Sequence, residues 1–138
     1  TDTFLELGSG RGRGALFLHH FFKCEVVGLE RIPQFVKLSR YLAHKYDQRG
    51  VTFICADMLK GEIPKASVIY LYGTALSDQE IALLVEKLKK LPKGVKIVSV
   101  SYPLADYDEK AFQIEKIFPI SFLWGETEAY IQTVCDYE

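Results

Sequence analysis

Apolar and polar positions follow two periods along this chain. Short apolar runs over Thr3–Leu7, residues 25–29, Val51–Cys55, residues 67–72 and residues 95–100 read as buried strands of a parallel sheet. Helical patterns fill the gaps. Arg13–Phe22 carries Ala15, Leu16, Leu18, Phe21 and Phe22. A second helix opens at Pro33, which suits a first turn, and spaces Phe35, Leu38, Leu42 and Tyr46 along one expected core face. Gly50 is expected to close it as a C-cap. Ser77 and Glu80 form a capping box, and the helix they open is expected to reach about Leu91 before Pro92 and Gly94.

After Pro103 the pattern changes. Residues 105–111 are too few for a good helix, and two long strand-like runs follow at 112–124 and 129–135. The Gly-Glu-Thr-Glu stretch at 125–128 reads as the turn of a hairpin. The whole pattern predicts an α/β fold: a doubly wound, mostly parallel sheet ending in an antiparallel β-hairpin. It holds no internal repeat and no linker, so residues 1–138 read as a single domain.

Composition changes this picture little. With 138 residues, 49% of them hydrophobic, the chain can bury a real core. A formal net charge of −1 gives no electrostatic case for nucleic acid as a partner. No apolar run reaches the roughly 18 to 20 residues that span a bilayer, and no signal peptide is recognised. Cys24, Cys55 and Cys135 fit neither a disulfide framework nor a zinc spacing. They are expected to be buried reduced thiols, which suits a cytoplasmic compartment. His19, His20 and His44 show no metal-ligand spacing, and the lysines between Lys87 and Lys96 read as a solvated helix end.

The candidate chemistry lies at the end of the first strand. In Glu6-Leu7-Gly8-Ser9-Gly10-Arg11-Gly12 an acid precedes alternating glycines, and a helix follows at once. Strand, glycine turn and helix N-terminus together make a nucleotide cradle at the carboxyl end of a parallel sheet. A dinucleotide fingerprint fails when counted from Gly8, because Arg13 stands at the third glycine position, but succeeds from Gly10 through Gly12 and Ala15. The glycines alone therefore leave NAD open. Three acids at successive strand ends favour another nucleotide. Glu6 is placed to receive an ammonium, Glu30 to accept from both ribose hydroxyls, and Asp57 to accept from an exocyclic adenine amine.

These residues resemble the class I, seven-strand S-adenosylmethionine-dependent methyltransferases, whose first motif is an acid, one residue, then G-x-G-x-G. The likeness covers the whole chain and implies a Rossmann-like, three-layer α-β-α fold with S-adenosylmethionine as cofactor. It implies that Glu6, Gly8, Ser9, Gly10, Gly12, Glu30, Arg31, Asp57, Met58 and Tyr72 hold that cofactor. Leu71-Tyr72-Gly73, Ser101-Tyr102-Pro103 and the hairpin with Trp124 resemble more closely the small protein-lysine methyltransferases of the ATP synthase c-subunit type. Members of that group carry substrate-binding segments upstream of the first motif, so the resemblance implies a core lacking its cap segment.

For the acceptor side, Tyr72, Thr74, Tyr102 and Trp124 are candidates, because aromatic walls hold amines and methylated cations. The Tyr72-Gly73-Thr74-Ala75 loop differs from the Asp/Asn-Pro-Pro-aromatic loop of adenine-N6 and glutamine methyltransferases. That argues against exocyclic amides and nucleobase amines; the resemblance implies a protein lysine as acceptor, and no general acid–base pair is evident. Two alternatives remain open at this point: an NAD-type oxidoreductase or regulatory module, and a cofactor-binding fragment or pseudoenzyme without its substrate region.

Overall fold

The computed structural model describes residues 2–72 and 75–135. The described elements are β1 (Thr3–Leu7), α1 (Arg13–Phe22), β2 (Glu25–Glu30), α2 (Pro33–Lys45), β3 (Val51–Cys55), β4 (Val68–Leu71), α3 (Asp78–Leu88), β5 (Lys96–Val100), a 3-10 turn at Leu104–Asp106, β6 (Phe112–Phe122) and β7 (Gly125–Val134). The strands form one seven-stranded mixed sheet in the order β3-β2-β1-β4-β5-β7-β6. This is the α/β Rossmann-like arrangement that the sequence pattern predicts, with its antiparallel C-terminal strands. The chain divides into two compact units, Thr1–Ile69 and Tyr70–Glu138. No described helix is long and apolar enough to cross a membrane.

In the first unit β1, β2 and β3 run parallel, with Leu7 opposite Leu29 and Glu30 opposite Cys55. That register brings the carboxyl ends of three strands to one edge. Ala15, Val26, Val36, Ala43, Val51 and Phe53 form a buried apolar cluster in this unit. The core face of α2 is not the expected one. Val36, Ser39 and Ala43 are buried, whereas Leu38 and Tyr46 are exposed. Small residues win because α2 packs closely on the glycine turn: a Cβ on Gly12 would lie 2.6 Å from Ser39 Oγ. Ser39 tolerates burial because its hydroxyl donates to the Phe35 carbonyl at 2.8 Å.

Gly50 is not a C-cap. Tyr46 ends α2, and Gly50 instead lies against the His19 ring, where any Cβ would collide. His19 Nδ1 in turn bonds the Cys24 carbonyl at 2.7 Å, which gives that histidine a structural role. The expectation of buried thiols is not met: Cys55 is exposed, because the buried positions of β3 stop at Phe53, and Cys24 and Cys135 are only half-buried.

In the second unit β7 lies antiparallel to both β5 and β6. The capping box at the start of α3 is formed as expected: Ser77 Oγ accepts from the Glu80 N–H and Glu80 Oε1 from the Ser77 N–H. Such caps are worth roughly 1 kcal/mol. The α-helix stops at Leu88, and the chain reaches Leu91 through tighter turns, with the Lys90 and Leu91 N–H groups on the Lys87 and Leu88 carbonyls. The hairpin turn lies earlier than expected. Phe122 pairs directly with Gly125, so Leu123 and Trp124 form a two-residue loop while Glu126, Thr127 and Glu128 pair within β7. Gly125 takes φ 145°, a conformation that suits glycine at the loop exit.

Candidate cofactor and acceptor sites

The glycine turn after β1 is fixed from two directions. The Gly8 and Ser9 N–H groups both donate to the Leu29 carbonyl, at 2.8 and 3.0 Å. The Gly10 N–H donates to Glu30 Oε1 at 2.8 Å, and Glu30 Oε2 accepts from the Ile32 N–H at 3.0 Å. One carboxylate thus ties the turn to the start of α2, whose N-cap residue has no side-chain cap of its own. Gly8, Gly10 and Gly12 have φ of 80°, 57° and 87°. L-residues pay roughly 1–2 kcal/mol in that left-handed region, so the alternate spacing is a backbone requirement. A Cβ on Gly10 would meet nothing within 4 Å, so the turn opens onto free space. Beside it lies an open cleft of about 410 Å³ lined by Ser9, Gly10, Arg11, Arg13, Gly14 and Phe35. The Arg11 guanidinium stands 5.1 Å from the Phe35 ring centre.

Glu6 is the unusual residue. It is buried, accepts from the Ala15 N–H at the start of α1, and its Oε1 has no hydrogen-bond partner among the described residues. Burial, offset in part by that N–H, pushes its carboxyl up to about 7 from an ordinary 4.5. Gly14 makes room for it: a Cβ there would lie 2.6 Å from Glu6 Oε2. Ser9 Oγ is likewise buried without a partner among the described residues. An orphaned carboxylate oxygen under a glycine turn fits a ligand that brings a cationic donor.

The other expected cofactor residues are placed as follows. Asp57 follows β3 and closes a turn, with Oδ1 accepting from the Leu59 N–H at 2.9 Å. Met58 packs at Gly8, its Cε 3.4 Å from where a Cβ would sit. Arg31 is exposed after β2. Tyr72, also expected at the cofactor, belongs to the second unit.

Among the acceptor candidates, Tyr72 and Trp124 meet: the indole N–H donates to the Tyr72 hydroxyl at 2.8 Å. Phe122 joins them, stacked on Trp124 at 5.3 Å and tilted to Tyr72 at 5.1 Å. Tyr102 packs edge-on to Tyr107 at 6.0 Å. Burial, reinforced by Tyr107, pushes its phenol up to about 12, so it stays protonated and is no general base. Thr74 lies outside the described residues. A buried network holds the chain after β5. Gln132 donates to the Ile97 carbonyl at 2.7 Å and accepts from the Leu104 N–H at 2.9 Å, and Ser99 Oγ donates to the Tyr102 carbonyl at 2.7 Å.

Sequence reasoning does not reach the roles of Gly14, Ser39, Phe122 and Ser101. Gly14 is visible as a fourth alternate glycine; the close packing of Ser39 and the φ of 76° at Ser101 have no sequence signature.

Residues 6–111 match the family model described as the ANTKMT methyltransferase domain. The chain belongs to that family. As a methyltransferase domain it is 35% identical over 101 residues to the protein-L-isoaspartate O-methyltransferase of Pyrococcus abyssi, covering 72% of this chain and 46% of that protein. The chain thus spans about half the length of the curated relatives it matches. The RNA methyltransferase of Salinibacter ruber, solved with S-adenosyl-L-homocysteine, superposes with a TM-score of 0.75 at 25% identity, covering 99% of this chain and 83% of that one. An MtNAS variant solved with S-adenosylmethionine gives 0.79 at 17% identity, with coverages of 98% and 55%, a likeness of fold alone.

Proposed function

We propose that this domain binds S-adenosylmethionine in the glycine turn and serves transfer of its methyl group to a lysine amine of a protein. The observation that carries the reading is Glu6, a buried carboxylate with an unpartnered oxygen beneath three left-handed glycines. That arrangement suits the ammonium of the cofactor's amino-acid end. Gly8, Ser9, Gly10 and Gly12 would line that end; Glu30 and Arg31 would lie by the ribose, and Asp57 and Met58 by the adenine. The cofactor supplies a sulfonium-activated methyl group, and the chain's part is to hold both partners and exclude water. Tyr72, Tyr102 and Trp124 are proposed on the acceptor side, and no base is required of them. An amine needs only to lose its own proton, which a partly apolar site favours. The ANTKMT family supports the lysine acceptor, and three free cysteines suit a reducing, cytoplasm-type compartment.

A second reading has its own support, since the Pyrococcus relative is named an O-methyltransferase. One experiment separates the two. The protein is incubated with radiolabelled S-adenosylmethionine and a cell lysate, then digested separately with nuclease and protease. Label released by protease, stable to alkali and recovered as N-methyllysine after acid hydrolysis bears out the proposal. Alkali-labile label is a methyl ester and favours the second reading; label released only by nuclease ends both.

A further inference from the structure

The hairpin register places two features on one face. Phe122 lies opposite Gly125 and Ile120 opposite Thr127, so Phe122, Ile120 and Thr127 share a side of the β6–β7 ribbon. Two residues along a strand span about 7 Å. At one end of that interval stand three rings. Trp124 is stacked on Phe122 with an interplanar angle of 10°, and its N–H is fixed on Tyr72. At the other end Thr127 Oγ1 meets Ser101 Oγ at 2.9 Å. At the ring end Gly125, opposite Phe122, offers bare backbone, where a Cβ would meet nothing within 4 Å. Trp124 is 58% exposed and Tyr72 37%, so the rings remain open to a ligand.

The two hydroxyls are held in place by the backbone. Ser101 is one of three non-glycine residues described with positive φ, and its N–H is fixed on the Glu128 carbonyl at 2.8 Å. Serine in that conformation is strained, and such strain persists where surrounding structure imposes it. In the Ser101–Thr127 pair one hydroxyl donates to the other, which leaves lone pairs on both for an N–H donor. Aromatic faces attract a cation, and hydroxyl oxygens accept from its N–H groups.

We propose that the Tyr72–Phe122–Trp124 rings and the Ser101–Thr127 hydroxyl pair form one recognition surface for an unbranched primary ammonium, the end of a lysine side chain. This rests on the lysine reading above and adds Phe122, Ser101 and Thr127 as specificity-determining residues. The rings attract any alkylammonium. The hydroxyl pair selects those that still carry N–H, and so prefers the unmethylated amine over its fully methylated form.

Trp124 is the single tryptophan of the chain, so one indole N–H resonance reports the site directly. The full chain, saturated with S-adenosylhomocysteine, is titrated with n-butylammonium and separately with tetramethylammonium while that resonance is followed. Saturable shifts with both ions are expected, n-butylammonium binding tighter. Ser101→Ala and Ser101→Gly should both weaken n-butylammonium by about ten-fold, the loss of one hydrogen bond from a charged group, and leave tetramethylammonium unchanged. Phe122→Leu, which keeps apolar volume without a ring, should weaken both ions. A linear, unsaturable shift in the parent protein overturns the proposal, as does equal loss of both ions in Ser101→Ala. Protease-released N-methyllysine from the lysate experiment alongside an unsaturable shift refutes this surface and leaves the lysine reading standing.

Discussion

Replacing Glu6 by glutamine removes one charge from a buried site and changes little else in shape. In the folded, ligand-free protein burial holds the Glu6 carboxyl near 7, against 4.5 for an ordinary glutamate. At about 1.4 kcal/mol per pKa unit, that gap corresponds to about 3 kcal/mol of stability. Proton uptake sets the direction. Between 4.5 and 7 the folded chain holds a proton that the unfolded chain has lost, so stability falls as pH rises. The contribution is fully present below pH 4.5 and gone above about pH 7. The Glu6→Gln variant has no such slope. Urea unfolding followed by circular dichroism from pH 4.5 to 8 therefore separates parent and variant. The difference between their unfolding free energies should change by about 3 kcal/mol across that range, because the parent alone loses this amount. Every other titrating group is common to both proteins and cancels. Affinity for S-adenosylhomocysteine should be lower in the variant, because a neutral amide cannot neutralise an incoming ammonium. Parallel stability curves for parent and Glu6→Gln would refute the reasoning.

Three further outcomes follow from the same geometry. Glu30→Ala removes the acceptor for the Gly10 and Ile32 N–H groups as well as the proposed ribose contact; with a charged hydrogen bond worth roughly 1.5 to 3 kcal/mol, calorimetry with S-adenosylhomocysteine should show affinity lower by at least about 10-fold. Gly10→Val places a β-branched residue at φ 57° and fills the free space above the turn, so binding should be abolished while the far-UV circular dichroism spectrum survives. Gln132→Leu strands the buried Leu104 N–H and removes the side-chain amide's bonds to Ile97 and Ser99; at roughly 1–3 kcal/mol for a buried group left unpaired, the urea midpoint should fall while binding of S-adenosylhomocysteine is retained.

Much of the fold is legible because local signals agree with tertiary structure. β1, α1 and β3 occupy the predicted residues, since each is bounded by strong punctuation: glycines after Leu7, Lys23 in a left-handed C-cap after Phe22, Gly50 before Val51. The α2 face departs from its pattern because hydrophobicity favours Leu38 and Tyr46, while the steric demand of Gly12 favours Ser39. The hairpin turn departs likewise because Gly125 with two acids looks like a loop, yet Glu126 and Glu128 sit at exposed positions of the start of β7. For the site, the acid and alternate glycines are enough to nominate Glu6, Gly8, Gly10 and Glu30. What Glu30 does to the turn, why Gly14 must lack a side chain, and the joining of Phe122 with Trp124 depend on packing and register, which no linear pattern records.

The central claim is that the turn holding Glu6, Gly8, Gly10 and Glu30 is a cofactor site for S-adenosylmethionine. Calorimetric titration of the full chain at pH 8 with S-adenosylhomocysteine, and in parallel with NAD, tests it most directly. The account predicts saturable binding of S-adenosylhomocysteine with one site per chain, weakened in Glu6→Gln, and no heat of binding from NAD. Saturable NAD binding with no response to S-adenosylhomocysteine would contradict it.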